Sequence, residues 1–456
     1  MKLLNLIKEK YNRRQRLTFL VIGICNICNV ACSSLVGPFY PPLAESKDVP
    51  ATYYGLIFGA FNLSGMILSC IFGKKMNILG AKFMFDSSMI LLSITNILFG
   101  FLNHVEDSNV FIGLSFSIRI IASIGTAGIT TARNAIIARE FLETAGTTFA
   151  ILEIFIGFGL MAGPIIGGLL LEQGGFTLPF AVFGGAQLIA AMTSVLFLPI
   201  QHIHYTEHRS SSGMLKLLCN HKISLFLLSV FSASFSLGFF DVALEPHLSI
   251  LGATPVIIGT IFMMRGGAFT FSAPAMGYLC DYIIIPDIVV LVASLTCCIG
   301  FLFLGPAPFL LLDTSYATCI IAMILLGIGQ GGEFVGSYTG AIRAALVAGF
   351  PDNLITYGLV SGLWSTAFYL GAFLGPTITG IMIDNLGFGW SSVVVLALHL
   401  LVAGNIMSYF CYNYTSDKTT DGISENIIET LQLLTTSGTY GSLEESYNSK
   451  KDTSKM

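Results

Sequence analysis

Long apolar runs separated by short polar turns follow one another from one end of the chain to the other. A helix needs about 20 apolar residues to cross a bilayer. Twelve stretches reach that length, at 17–40, 52–74, 82–103, 109–138, 146–171, 177–200, 222–250, 256–280, 287–306, 316–346, 355–383 and 389–412. The first is longer than a signal-peptide core and no small-residue cleavage site follows it, so it is expected to be a span. The pattern predicts an all-α membrane protein of twelve transmembrane helices.

Two glycine-rich segments carry the organisation of these stretches. Gly157–Gly168 in the fifth contains Gly159, Gly163 and Gly167 at four-residue spacing with Pro164 among them, and Gly371–Gly380 in the eleventh contains Gly371, Gly375 and Pro376. Small residues four apart share one helix face and let a neighbouring helix come close. In lipid a proline is tolerated because neighbours re-satisfy the backbone. The two segments are also copies. Gly163-Pro164 and Gly375-Pro376 lie 212 residues apart, as do Gly168 and Gly380, Glu172 and Asp384, and Phe176 and Phe388. An offset of 204 carries Pro42 to Pro246, Gly55 to Gly259 and Gly73 to Gly277. Stretches 1–6 and 7–12 therefore read as two parallel copies of one six-helix bundle, a plan that places substrate near the midplane between the halves. The expected divisions are an N-terminus at 1–16, a first bundle at 17–200, a linker at 201–221, a second bundle at 222–413 and a tail at 414–456.

Composition agrees with this plan. The 456 residues are 54% hydrophobic and 11% charged, with a mean hydropathy of +0.79, which excludes an ordinary soluble domain. The net charge of −4 gives no sign of a nucleic-acid partner. Nineteen of the 22 Lys and Arg fall in the two termini and in loops on the same side, with only Lys47 on the other, so both termini are expected in the cytosol. No cysteine lies in a loop on the far side, which speaks against a disulfide framework. Cys25-x-x-Cys28 and the histidines of the linker read as packing and solvated positions, so no metal site is expected. The tail is Ser/Thr/Glu-rich and reads as disordered. Glu429 followed by Leu433-Leu434 fits an acidic dileucine sorting pattern, for which a clathrin adaptor is the expected partner.

Ionisable groups inside spans are costly, so they are candidate functional groups. Glu172 and Asp384 are echoed between the copies and read as structural, as do Asn77 and Asp281 at the turns after Gly73 and Gly277. Asp86, four residues after Lys82, reads as a local ion pair. Six groups have no echo: Arg119, Glu153, Asp241, Glu245, Arg265 and Glu333. Glu153 falls about 12 Å along its helix, near mid-membrane. Each carboxylate could instead pair with Arg119 or Arg265 and merely hold the bundle together. A carboxylate away from water favours its protonated form, so one group can take either a proton or an amine, and several separated carboxylates suit a cation with several amines.

These residues resemble a known family. Gly163-Pro164-Ile-Ile-Gly167-Gly168 is similar to the fifth-helix antiporter signature of the major facilitator superfamily, and Arg119 with Gly125 to its fourth-helix arginine motif. Gly73…Gly80-Ala-Lys82 resembles its loop 2–3 signature, with Asn77 in place of the usual aspartate. Leu244-Glu245-Pro246 and Tyr357-Gly358…Leu374-Gly375-Pro376 resemble the vesicular amine transporter family (solute carrier family 18). Leu152-Glu153…Gly157-Phe-Gly159-Leu160 and Leu359-Val360-Ser361-Gly362-Leu363 resemble its polyamine branch. Ser365 stands where the monoamine and acetylcholine members carry an acid, and their large loop after the first helix is missing.

The resemblance implies a major facilitator fold and a proton-coupled antiporter loading organic cations, spermine or spermidine foremost, into acidic vesicles or endolysosomes. Glu153, Glu245 and Glu333 would bind the amine, Glu153 with Arg119 would couple the proton, and Asp241 and Arg265 would support the site. The expected partners are the cation, protons and lipid. The energy source is the proton gradient without a cofactor, and the expected state is a monomer. The rivals are a transporter of another small organic solute, with Arg119 and Arg265 as its binders, and a non-transporting scaffold or receptor. No nucleophile–base pair suggests an enzyme.

Overall fold

The computed structural model describes residues 12–141, 145–199, 211–282, 285–305, 307–309, 314–351 and 354–417. Among these the structure is helical and holds no strand. Helix α1 runs Arg13–Ser33 and resumes after a turn as Val36–Glu45. It starts earlier than the apolar pattern because Asn12 caps it: Gln15 N donates to Asn12 Oδ1 at 2.9 Å, and Asn12 N to Gln15 Oε1 at 3.1 Å. Then come α2 (Ala51–Leu79), α3 (Ala81–Gly100), α4 (Ser108–Glu140), α5 (Ala145–Gly174) and α6 (Thr177–Phe197). A short helix, Ser211–Leu218, precedes α7, which has three parts: His221–Phe239, a π-helical turn at Phe240–Leu244, and Glu245–Ile250. Helices α8 (Pro255–Tyr282), α9 (Pro286–Leu304) and α10 (Tyr316–Val347) follow. The last helical stretch, Leu354–Asp417, breaks at Gly387, whose φ of 72° and ψ of 177° are not helical, into α11 and α12. Eleven segments are long and apolar enough to cross a membrane when that stretch counts once, and twelve when it is cut at Gly387.

Residues Met1–Ala403 form one compact unit and Gly404–Met456 another. In the second, the described residues continue α12 to Asp417. Tail residues Glu429, Leu433 and Leu434 lie outside the described residues, as does most of the linker. So do the side chains of Glu153, Asn77 and Asp281, although the backbone places these three on α5, α2 and α8.

The internal repeat is visible as atomic contact. On α5, Gly159 and Gly163 lie against the carbonyls of Ile27 and Ala31 of α1; on α11, Gly371 and Gly375 lie against those of Phe231 and Phe235 of α7. Both pairs of partners are 204 residues apart. The outward face of the same segments meets the other half. Gly259 of α8 sits on the Pro164 carbonyl and Gly55 of α2 on the Pro376 carbonyl, while Gly168 meets Pro255 and Gly380 meets Ala51. A Cβ at any of these glycines would fall inside the 3.0 Å that real Cβ atoms keep. In lipid, where apolar burial drives nothing, such van der Waals fit is what associates helices.

The seam between the halves is tight at the end away from the amino terminus. Asn62 Nδ2 donates across it to the Ala372 carbonyl at 3.0 Å, whereas a Cβ on Gly73 would meet no other described atom within 4 Å. Asp384, at the end of α11, accepts from Ala51 N at 3.2 Å, Thr52 N at 2.8 Å and Thr52 Oγ1 at 2.5 Å. One half thereby caps the first turn of a helix in the other. Its echo Glu172 is exposed.

One expected pairing is corrected. Lys82 does not bridge Asp86. Its Nζ donates to the Val195 carbonyl at 2.9 Å and to that of Leu198, at the negative end of α6, while Asp86 accepts from the Ser194 hydroxyl.

Candidate functional site

The unechoed charges fall into three groups. The first lies between the halves. Asp241 is the second residue of the π turn of α7, against Gly37 of α1, where a Cβ would collide with its carboxylate. The turn has a local cause: Pro246 has no N–H to donate to the Val242 carbonyl, so the preceding backbone widens. Such π turns concentrate at functional positions. Arg119 of α4 and Arg265 of α8, one from each half, both act on the Asp241 carboxylate electrostatically, yet neither forms a direct ion pair with it. The guanidinium of Arg119 lies 4.0 Å from the centre of the Phe61 ring, and that of Arg265 lies 5.2 Å from Phe240. Arg265 Nη1 also donates to Gln330 Oε1 at 3.1 Å. Each arginine keeps a buried Nε without a partner. The sequence allows a simple ion pair here; the structure instead sets the two arginines on aromatic rings, apart from the Asp241 carboxylate.

The second group lies one helical turn further on. Glu245 is 1% exposed. One of its oxygens accepts from the Ser249 hydroxyl and the other has no hydrogen-bond partner. Its field reaches Glu45 of α1, which accepts from Tyr54 Oη at 3.1 Å. A carboxylate of each half thus lies within electrostatic reach of the other. Beside it, the ring of His247 stacks on Phe388 with centroids 3.7 Å apart.

The third group centres on Glu333. It does not line the space between the halves but is wholly buried inside the C-terminal bundle. Its Oε1 accepts from Ser294 Oγ at 2.6 Å and lies 3.0 Å from His399 Nδ1 of α12. That position points away from direct contact with an amine. His399, also wholly buried, went unread in the sequence because a single histidine in an apolar span carries no spacing pattern. The repeat could have exposed it: the 212-residue offset sets His399 opposite Gln187. Cys297 Sγ, a Glu333 oxygen and a His399 nitrogen come within 4.8 Å of one another. Both ring nitrogens are engaged by hydroxyls and the carboxylate, so the group is closed by hydrogen bonds rather than arranged around a metal centre.

Comparison with known proteins agrees with this architecture. The Major Facilitator Superfamily profile matches residues 22–350 and 226–433. The chain is 30% identical to the human protein "MFS-type transporter SLC18B1" over 93% of its own length and 92% of the relative's. It is 24% identical to Multidrug resistance protein 2 of Bacillus subtilis over 83% and 91% of the two chains. Among solved structures, a bacterial homologue of the human lysosomal transporter Spinster, inward-facing and unoccupied, superposes with a TM-score of 0.70 at 15% identity, covering 87% of this chain and 97% of that one. The nucleoside transporter NupG superposes with a TM-score of 0.66 at 13% identity, over 86% and 99%. The chain belongs to the major facilitator superfamily and, within it, to solute carrier family 18: it is a multi-pass membrane transporter and not an enzyme.

Proposed function

We propose that the protein is a proton-coupled antiporter that loads organic cations, polyamines foremost, into an acidic intracellular compartment. The observation that carries this reading is Glu245: a carboxylate 1% exposed, with one oxygen unpartnered, within electrostatic reach of Glu45 of the opposite half. A buried acceptor left unpaired is costly, and an ammonium between two carboxylates would satisfy it. Glu153 of α5 would supply a further carboxylate and exchange its proton for the amine, with Arg119 and Asp241 setting the local charge. Arg265 would hold the opposite side of that site.

Both termini belong in the cytosol on the distribution of basic residues. On that orientation the tight end of the seam faces the lumen, and the cation enters from the cytosol. The major facilitator plan supports rocking of two halves about a central site.

A second reading has its own observation. Arg119 and Arg265 each present an unpartnered buried Nε, which suits a small anionic solute. Reconstitution separates the two. Liposomes with an acidic interior should accumulate radiolabelled spermine and lose that uptake when the gradient is collapsed. Uptake of organic anions with no spermine transport would overturn the cation reading. A correctly folded protein that moves neither would favour a scaffold. For the compartment, Leu433→Ala combined with Leu434→Ala should move the protein to the cell surface; unchanged vesicular residence would remove the tail motif from the account.

A further inference from the structure

A titratable pair lies behind the site just described, where neither substrate reading uses it. Ser294 of α9, Glu333 of α10, Ser232 and Ser236 of α7 and His399 of α12 form one buried polar cluster. His399 Nδ1 lies 3.0 Å from Glu333 Oε1 and 3.1 Å from Ser232 Oγ, and its Nε2 lies 2.7 Å from Ser236 Oγ. Ser236 is placed to serve two protonation states. With a neutral ring its hydroxyl donates to Nε2. With a charged ring it accepts from Nε2–H and turns its own proton to the Ser232 carbonyl, 3.1 Å away. A cluster that satisfies both states is suited to gaining and losing a proton.

The N-terminal half supplies an internal control. At the position 212 residues earlier stands Gln187, also wholly buried. It accepts from Asn96 Nδ2 at 2.8 Å and donates to Asn29 Oδ1 at 3.3 Å. The fold at this level therefore asks only for a hydrogen-bonding side chain. An imidazole with a carboxylate adds charge where the other copy manages with amides.

Resting on the proton-coupled reading above, we infer that Glu333 and His399 together form a proton-carrying site inside the C-terminal bundle, distinct from the amine site. With one proton shared the pair is neutral. When that proton leaves to water, carboxylate and neutral imidazole remain and the bundle interior holds a net negative charge. A buried charge demands a partner. The nearest cation described on this side is Arg265, whose Nη1 donates to Gln330, three residues before Glu333 on α10. The titratable groups facing the pair among the described residues are the thiols of Cys297 and Cys298 on α9.

The pair is also joined by packing to the bent part of α7. Phe301 stacks on the His399 ring and on Phe240, with centroids 5.6 Å apart in each case. Phe240 opens the π turn that carries Asp241 and bears the Arg265 guanidinium. A change of charge at His399 thus reaches both the arginine and the turn between the halves.

The test uses the full chain in proteoliposomes. His399→Gln installs the side chain that the first half already carries, so it should fold and exchange spermine across the membrane at the wild-type rate. If the pair carries one coupled proton, its loss should lower steady-state accumulation about tenfold per pH unit of gradient. Equal loss of exchange and accumulation, or loss of neither, would overturn the proposal. Independently of substrate, nitrogen-15 spectra of labelled histidines, assigned by the signal missing in His399→Gln, should show two protonation states of His399 that interconvert across the pH range tested. Glu333→Gln should alter that interconversion. A signal fixed in one state across the range would overturn the proton site whatever the substrate. Failure of wild-type protein to move spermine would overturn the polyamine reading alone and leave the histidine titration to decide this one.

Discussion

The two halves share their hinges and differ in their charges. On α5 and α11 the same glycines meet the same carbonyl levels of α1 and α7, and the same proline carbonyls receive a glycine from the opposite half. Above that common frame, Asp384 caps α2 where Glu172 caps nothing described, and His399 with Glu333 stands where Gln187 and Asn96 suffice. Glu153 has only Ser365 as its counterpart. A repeated element must fit twice, so what is repeated serves packing and movement. What one half has alone is free to serve the solute and the proton.

Three pairs of substitutions press on this contrast. The largest effect is expected at the shared frame. Gly163→Leu and Gly375→Leu each place a side chain against a helix backbone, so each should destabilise the protein by about 1–3 kcal/mol or more and abolish transport, with matching shifts in thermal unfolding. Damage confined to one of them would break the equivalence of the halves.

Next comes the unshared acid. Glu153→Gln should remove gradient-driven uptake by at least about tenfold, while Ser365→Ala leaves it near wild type. Unchanged uptake in the first variant would take proton exchange away from Glu153.

The smallest effect belongs to the cap. Asp384→Asn weakens the hold on the first turn of α2 by about 1 kcal/mol and should raise the labelling of a cysteine introduced at Thr52. Glu172→Gln should leave that labelling as it was. Equal effects would make the two ends symmetric after all.

The scaffold was legible in the sequence because lipid imposes a minimum length on every span and the repeat fixes its register. Twelve stretches and two offsets thus give the helices and their pairing between the copies, and the gap between the last two stretches holds Gly387. The polar groups were less legible. A carboxylate announces itself inside an apolar run, but the face it points to depends on helix rotation. That is why the sequence does not show that Glu333 turns into its own bundle. Lys82 and Asp86 have the right spacing for a pair, yet carbonyls at the end of α6 and the Ser194 hydroxyl compete for them and win. His399 gave no local signal at all, since its meaning lies in residues from three other helices.

The most direct measurement follows protons while the cation moves. Proteoliposomes with an acidic lumen and a trapped pH dye are given spermine outside. The account expects the lumen to become less acidic as spermine enters, in proportion to the amount taken up, and expects both signals to vanish together when the gradient is collapsed. Spermine accumulation with no outward proton movement, or uptake indifferent to the gradient, would contradict it.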